Sequence, residues 1–489
     1  MTAAHLARRH GLSTVVVEKT DKLGGTSAYS GGACWLPGSA VQQRAGIADS
    51  TESARAYLDA ILDDPDRDKV EAFLAEAPLL VAALEEDPAL EFEWLPFPEY
   101  FDAPGRVSWG RSIQPVNVRR DELPEEVASL VRPPVERDRA GQGGRNTLSG
   151  GQALIARLLW AFTRDGGVVL TSHCVDALVL DGDRVTGVRA TTADGPVEIR
   201  ARRGVLIAAG GFERNPTWRK EYAVPGDAAW TMAPRGTNTG EPIAAAVAVG
   251  AATALLDQGW FCPGLEQPDG SGSFTLGFRG GVIVDQQGRR YANECMPYDR
   301  FGRAMAAAPD RIPSWFVFDS REDGRLPAIA MPEGSPDEHL AAGTWVRSDS
   351  LPELADRLDL SALVDTVERF NGFAESGVDE DFARGSDEYD TFFAAGDGPN
   401  KALLPVDRAP FFAARLVLSD LGTKGGLVTD THARVLRPDG SVIAGLYATG
   451  NSSASVVGAV YPGPGAPLGT AMVFGALAIQ DLARGTTGG

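Results

Sequence analysis

The segment from Ser13 to Gly32 constrains this chain more than any other. STVVVE, residues 13 to 18, is a run of β-branched residues ending in an acid, the pattern of a buried β-strand. Residues 2 to 10 read as a short helix stopped by Gly11, and KTDKLGGTSAYSGG follows the acid. In a dinucleotide-binding βαβ unit, a strand, a glycine-rich turn and a helix precede a second strand. The acid ending that second strand grips a ribose about 20 residues after the glycines. Glu18 occupies that acid's place. Counting back about 20 residues puts the glycine fingerprint just upstream of Met1, so the first strand and its phosphate-binding turn are expected to be absent from this chain.

The loop after Glu18 suits an isoalloxazine and a pyrophosphate. Gly24, Gly25, Gly31 and Gly32 permit close backbone approach, Thr26, Ser27 and Ser30 supply small hydroxyl donors, and Lys19 opens the K-x₄-GGTS-x₃-GG pattern. Composition narrows the partners. With 46 Lys+Arg against 66 Asp+Glu, the net charge of −20 removes phosphate-backbone attraction as a driving force, so no nucleic-acid partner is expected. Five histidines without H-x-x-H spacing predict no protein-bound metal. Four scattered cysteines in so long a chain predict a reducing, cytoplasmic setting. The longest near-apolar run, Ile243 to Leu256, is 14 residues, shorter than the roughly 18 of a membrane span, and reads as a buried Ala-rich helix.

Four segments resemble the fumarate reductase and succinate dehydrogenase flavoprotein superfamily: the Glu18 strand and loop, RRGVLIAAGGFERN (202–215), GGVIVDQQGRRYANE (280–294) and GGLVTDTHARVLRPDGSVIAGLYATGN (425–451). The resemblance implies an α/β fold with an α+β cap and FAD as cofactor. A discontinuous, Rossmann-like FAD-binding domain over residues 1–258 and 424–489 would flank an inserted catalytic domain over 259–423 that caps the substrate. It also implies cofactor contacts from Val175 on the adenine side, from Ala209, Gly210 and Gly211, from Gly450 and Asn451, and from Pro467 and Leu468. Between these markers, GGQALIARLLWAF (150–162) reads as a helix and residues 173–190 as a hairpin turning at Gly182-Asp183. Residues 113–147, rich in proline and charge, read as a surface excursion.

Tyr461 begins Y-P-G-P-G, where two prolines restrict the backbone and Gly463 and Gly465 permit turns and expose N–H groups. Tyr298 stands in P-Y-D, and Tyr100 in the aromatic stretch WLPFPEYFDAPGR. This trio resembles the 3-ketosteroid Δ1-dehydrogenases. The resemblance implies 1,2-desaturation of a steroid-like substrate, with electrons leaving to an external acceptor. Removing the C2 proton, α to a ketone, is aided by two donors to the carbonyl oxygen, here Tyr461 O–H and Gly465 N–H. Tyr298 would be the base; a free phenol is only about 0.1% ionised at pH 7, so a relay is needed, for which Tyr100 is the candidate. Competing readings are a 3-ketosteroid 4-dehydrogenase, a fumarate-type reductase and a shortened, flavin-free remnant. Arg300 and Arg303 without nearby histidines disfavour the second.

Overall fold

The valine-rich strand forms at Val15–Val17, after the helix Thr2–Arg9, and pairs in parallel with Val168–Leu170. The computed structural model describes residues 1–484 and divides them into two units. The first comprises Met1–Trp218, Ala233–Gln258 and the chain from Gly422, and the second Arg219–Met232 and Gly259–Leu421.

In the first unit the helix Gly151–Arg164 is apolar almost all round, and so is buried on nearly every face. Leu23, Ala28, Val118, Leu123, Val127, Ala128 and Val131 pack with its Ala153, Ile155, Leu159 and Phe162. Residues 118–131 therefore contribute to the core, contrary to the surface excursion expected from sequence, while 140–147 lie largely exposed as that expectation had it. Prolines cut the 113–147 stretch into helices of four and five residues, Glu125–Ala128 and Val135–Arg139, too short to show a period. A second parallel pairing, Val205–Ile207 with Val442–Ala448, joins the early and late parts of this unit, and Arg434–Leu436 extends it antiparallel. The hairpin forms as Cys174–Asp181 and Arg184–Thr192, with Gly195–Arg200 added beyond.

Two further expectations give way. The Ala-rich helix spans only Glu241–Ala248, because Gly250, at φ +92°, turns the chain into the strand Thr253–Ala254. Val15 and Val168 are 44% and 48% exposed, so the expected burial of the first strand is incomplete. The final helix, Ala466–Arg484, is long and apolar enough to cross a membrane by length and composition alone, with mean hydropathy 1.3. Half of it is buried inside the structure, where it packs on Thr2–Arg9 and Arg67–Glu85 as a core helix does.

The second unit is built on a sheet ordered Gly259–Leu265, Phe411–Thr423, Ser314–Phe318, Val282–Val284, with Trp345–Ser348 also paired to Phe411–Thr423. Leu363, Val367, Phe370 and Phe373 of one helix close its core over Val282, Val284, Val317 and Ala413. Residues 219–232 belong here and not with the chain before them. Arg219 Nη1 lies 2.7 Å from Asp420 Oδ2, both side chains buried, and Thr231 Oγ1 donates to Asp420 Oδ1 at 2.6 Å.

Candidate active site

The loop after Glu18 divides its glycines by purpose. A Cβ on Gly32 (φ +75°) would fall 2.4 Å from the Gly150 backbone, and one on Gly24 (φ +113°) 2.8 Å from Ala28. These two glycines serve packing. Gly25 (φ +51°) and Gly31 face open space, which leaves their backbone approachable by a ligand. The hydroxyls divide likewise. Ser30 Oγ is engaged within the loop, donating to Ser27 O at 2.8 Å and accepting from Gly32 N at 3.1 Å. Thr26 Oγ1 is buried with no partner, the condition of a group that awaits a ligand acceptor.

Glu18 ends its strand as expected, and its Oε1 accepts from Thr20 N at 2.8 Å and Thr20 Oγ1 at 2.9 Å. Lys19 is committed elsewhere, to Thr239 Oγ1 and Glu241 Oε1, each at 2.7 Å. The 209–211 turn and the Gly450–Ser452 turn are brought together by Ser452 Oγ, which accepts from Ala209 N at 3.0 Å and donates to Gly210 O at 2.8 Å. Gly211 packs on Thr423, and Asn451 lies against Gly422. Val175 is half-buried in the strand opposite Ala190, while Pro467 and Leu468 stand in the first turn of the final helix. With open glycines and an unpaired hydroxyl after an acid-ended strand, the residues fit FAD.

The tyrosine loop is assembled in the same unit. Tyr100 and Tyr461 are 1% and 3% exposed, their ring centroids 5.0 Å apart and edge to face. Gly465 holds φ +84° immediately before the final helix. A Cβ there would sit 2.2 Å from Ala33 O, so only glycine permits this approach. The buried Lys424 Nζ donates to Ala459 O at 2.7 Å and lies 5.9 Å over the Tyr461 ring. Sequence reasoning missed this ammonium, which came as one lysine in a glycine-rich strand end. It also missed the support beneath the loop: Trp35, Tyr57, Arg111 and Ser112, which carry no motif.

Tyr298 lies in the second unit, 6% exposed, at the start of the helix Tyr298–Ala306 with Pro297 as its cap. Phe274 meets its ring edge-on at 4.8 Å. The turn that delivers it is held by ion pairs. Glu294 Oε1 lies 2.7 Å from Arg290 Nε and Glu294 Oε2 3.1 Å from Arg384 Nη1, while Asp379 takes Arg290 at 2.8 Å. Asn293 anchors the same turn, donating to Asp390 at 2.8 Å and accepting from Cys295 N at 2.8 Å. Burial opposes charge on Glu294 and on Asp379, yet Arg290, with Arg384 for Glu294, holds both carboxyls below their usual range. Because both are depressed, their contribution is complete above their unfolded pKa values, about 4.3 and 3.9, and drains as pH falls through the lower folded values. Thermal unfolding between pH 7 and pH 3 should therefore show Tm falling below about pH 4. Glu294→Gln should lower Tm at pH 7 and flatten that fall; an unchanged slope would remove Glu294 from the account.

Cys295 is a packed thiol: it donates to Phe278 O at 3.1 Å, and burial pushes it up to about 11. His5, Asp87 and Asp165 place one ligand atom each within 4.8 Å of one another, a grouping that histidine spacing could not show. Arg164 already lies on both carboxylates and supplies the positive charge a cation would bring.

A family model described as FAD binding domain matches residues 1–468. A 3-oxosteroid 1-dehydrogenase of Rhodococcus opacus is 39% identical over 512 residues, covering 99% of this chain and 96% of that protein. A 4-oxocyclohexanecarboxylate 2-dehydrogenase of Sinomonas cyclohexanicum is 33% identical, covering 100% and 92%. The crystal structure of 3-ketosteroid Δ1-dehydrogenase from Sterolibacterium denitrificans, in complex with 1,4-androstadiene-3,17-dione, superposes with a TM-score of 0.90 at 31% identity, over 99% of this chain and 97% of that one. The chain belongs to the family of FAD-binding flavoprotein dehydrogenases that contains the 3-oxosteroid 1-dehydrogenases.

Proposed function

We propose that this protein desaturates the C1–C2 bond of 3-ketosteroids. The observation that carries the reading is the buried Tyr100–Tyr461 pair beside a glycine amide fixed at positive φ. Tyr461 O–H and Gly465 N–H donate to the C3 carbonyl oxygen, stabilising the charge that grows there as the C2–H bond breaks. The Lys424 ammonium above the Tyr461 ring favours the same charge. Tyr298 takes the C2 proton, and its place in the first turn of a helix, at the positive end of the helix dipole, favours the negative phenolate. Tyr100, packed on Tyr461, is the relay. Bound FAD supplies the acceptor for the hydride that leaves C1 as the double bond forms. Glu18, Gly25, Thr26, Gly31, the 209–211 turn and the 450–451 turn would hold it, with residues 1–258 and 424–489 as the FAD-binding part and 259–423 as the catalytic part.

Four cysteines without a disulfide support a cytoplasmic setting, with an external electron acceptor. A second reading, desaturation of a 4-oxocyclohexane carboxylate, is favoured by the Sinomonas relative. Anaerobic mixing of the FAD-loaded protein with androstenedione should bleach the flavin and yield the 1,4-diene. No bleaching overturns the steroid reading, bleaching by 4-oxocyclohexanecarboxylate alone selects the second, and a product unsaturated elsewhere reassigns the regiochemistry.

A further inference from the structure

The segment carrying Tyr461 supports itself only in part. In Y-P-G-P-G the prolines lack N–H groups and no helix or strand covers residues 461–465; Gly463 O accepts from Ala466 N and Gly465 O from Gly469 N, and the remaining acceptors, the proline carbonyls above all, take donors from elsewhere. Four neighbours supply them. Tyr57 O–H donates to Pro462 O at 2.7 Å, Tyr100 N to the same oxygen at 3.1 Å, Ser112 Oγ to Pro464 O at 2.6 Å and Trp35 N to Gly465 O at 3.1 Å.

Two of these donors, Trp35 and Tyr57, lie under one guanidinium, and the other two are chain neighbours of it or of its carboxylate partner. Arg111 is 0% exposed; its Cζ lies 5.5 Å over the Trp35 ring and 5.7 Å over the Tyr57 ring. Its Nε and Nη2 donate to Glu99 at 2.7 and 3.1 Å, and its Nη1 to Asp49 at 2.8 Å. Glu99 directly precedes Tyr100 and accepts from Trp35 Nε1 at 2.9 Å, while Ser112 directly follows Arg111. Burial pushes the Glu99 carboxyl up, with Arg111 opposing that shift. A fully buried ion network of this kind gains little net stability, because desolvation offsets most of its attraction; what it supplies is a fixed geometry.

We propose that Arg111 is a positioning residue that sets where the Tyr461 phenol and Gly465 amide stand, and so how strongly they polarise a bound ketone. The inference rests on the desaturase reading. It is tested with the full chain loaded with FAD, comparing wild type, Arg111→Met, Arg111→Lys, Tyr461→Phe and the Arg111→Met/Tyr461→Phe pair. Two quantities are read: the anaerobic rate of flavin reduction by androstenedione, and the C3 carbonyl stretch of the bound steroid by Raman difference.

Arg111→Met should slow reduction about 10²-fold at unchanged flavin content and weaken the carbonyl shift. Arg111→Lys should recover little, since an ammonium cannot span Glu99 and Asp49 as the planar fork does. The double variant should lie within about 3-fold of Tyr461→Phe, the non-additivity of residues acting through one another. Should Arg111→Met not fold, Ser112→Ala removes one strut and should give about a 5-fold loss with the same weakened stretch. Losses that multiply, or a variant that keeps both rate and stretch while wild type is active, overturn the positioning role. A wild type that does not bleach overturns the desaturase reading itself, and this inference with it.

Discussion

Tyr298→Phe is expected to slow flavin reduction by a 3-ketosteroid about 10³-fold, the middle of the range for loss of a general base. The substitution removes one hydroxyl and keeps the ring. Phe274 meets the ring edge-on, and Pro297, the Glu294 ion pairs and the Asn293 bonds hold the backbone whichever residue follows. Flavin content, Tm and steroid affinity should therefore stay close to wild type while the chemical step is lost. Stopped-flow reduction at saturating steroid reads that step directly. Wild-type reduction by this variant would remove Tyr298 as the base.

Gly465→Ala should damage both fold and rate. At φ +84° any side chain is strained, by about 1 to 2 kcal/mol. The added methyl would also overlap Ala33 O at 2.2 Å, Ala33 C at 2.3 Å and Cys34 N at 2.6 Å, all backbone atoms that cannot rotate aside. Relief requires the loop to withdraw, which breaks the 3.1 Å bond from Trp35 N to Gly465 O and moves the amide from the ketone. A Tm loss of several degrees is expected, with at least a 10²-fold fall in the reduction rate, the effect of losing one oxyanion donor. A variant of unchanged Tm and rate would show that neither the approach to Ala33 nor the amide matters.

Much of the cofactor part was legible because it is local. The β-branched run of the first strand, the hairpin turn at Gly182-Asp183 and the strand pair around Asp439-Gly440 are written in consecutive residues, and they form where the pattern places them. The glycines after Glu18 were legible as a loop but not by role. Gly24 and Gly32 serve packing while Gly25 and Gly31 stay open, and only the positions of Ala28 and Gly150 distinguish them. Residues 118–131 misled because proline interrupts the period by which buried faces are recognised.

Sequence alone determined the chemistry available here: which residues are phenols, which turns are forced by proline and glycine, and which strand ends in an acid. Tertiary structure alone decided what those groups rest on. Arg111 reaches Glu99 and Asp49, Tyr57 reaches Pro462 across 405 positions, and Lys424 lies over Tyr461. Such partners are chosen by burial, which leaves a charge or a carbonyl no alternative to whatever the fold brings within hydrogen-bonding distance, and no local pattern records that choice.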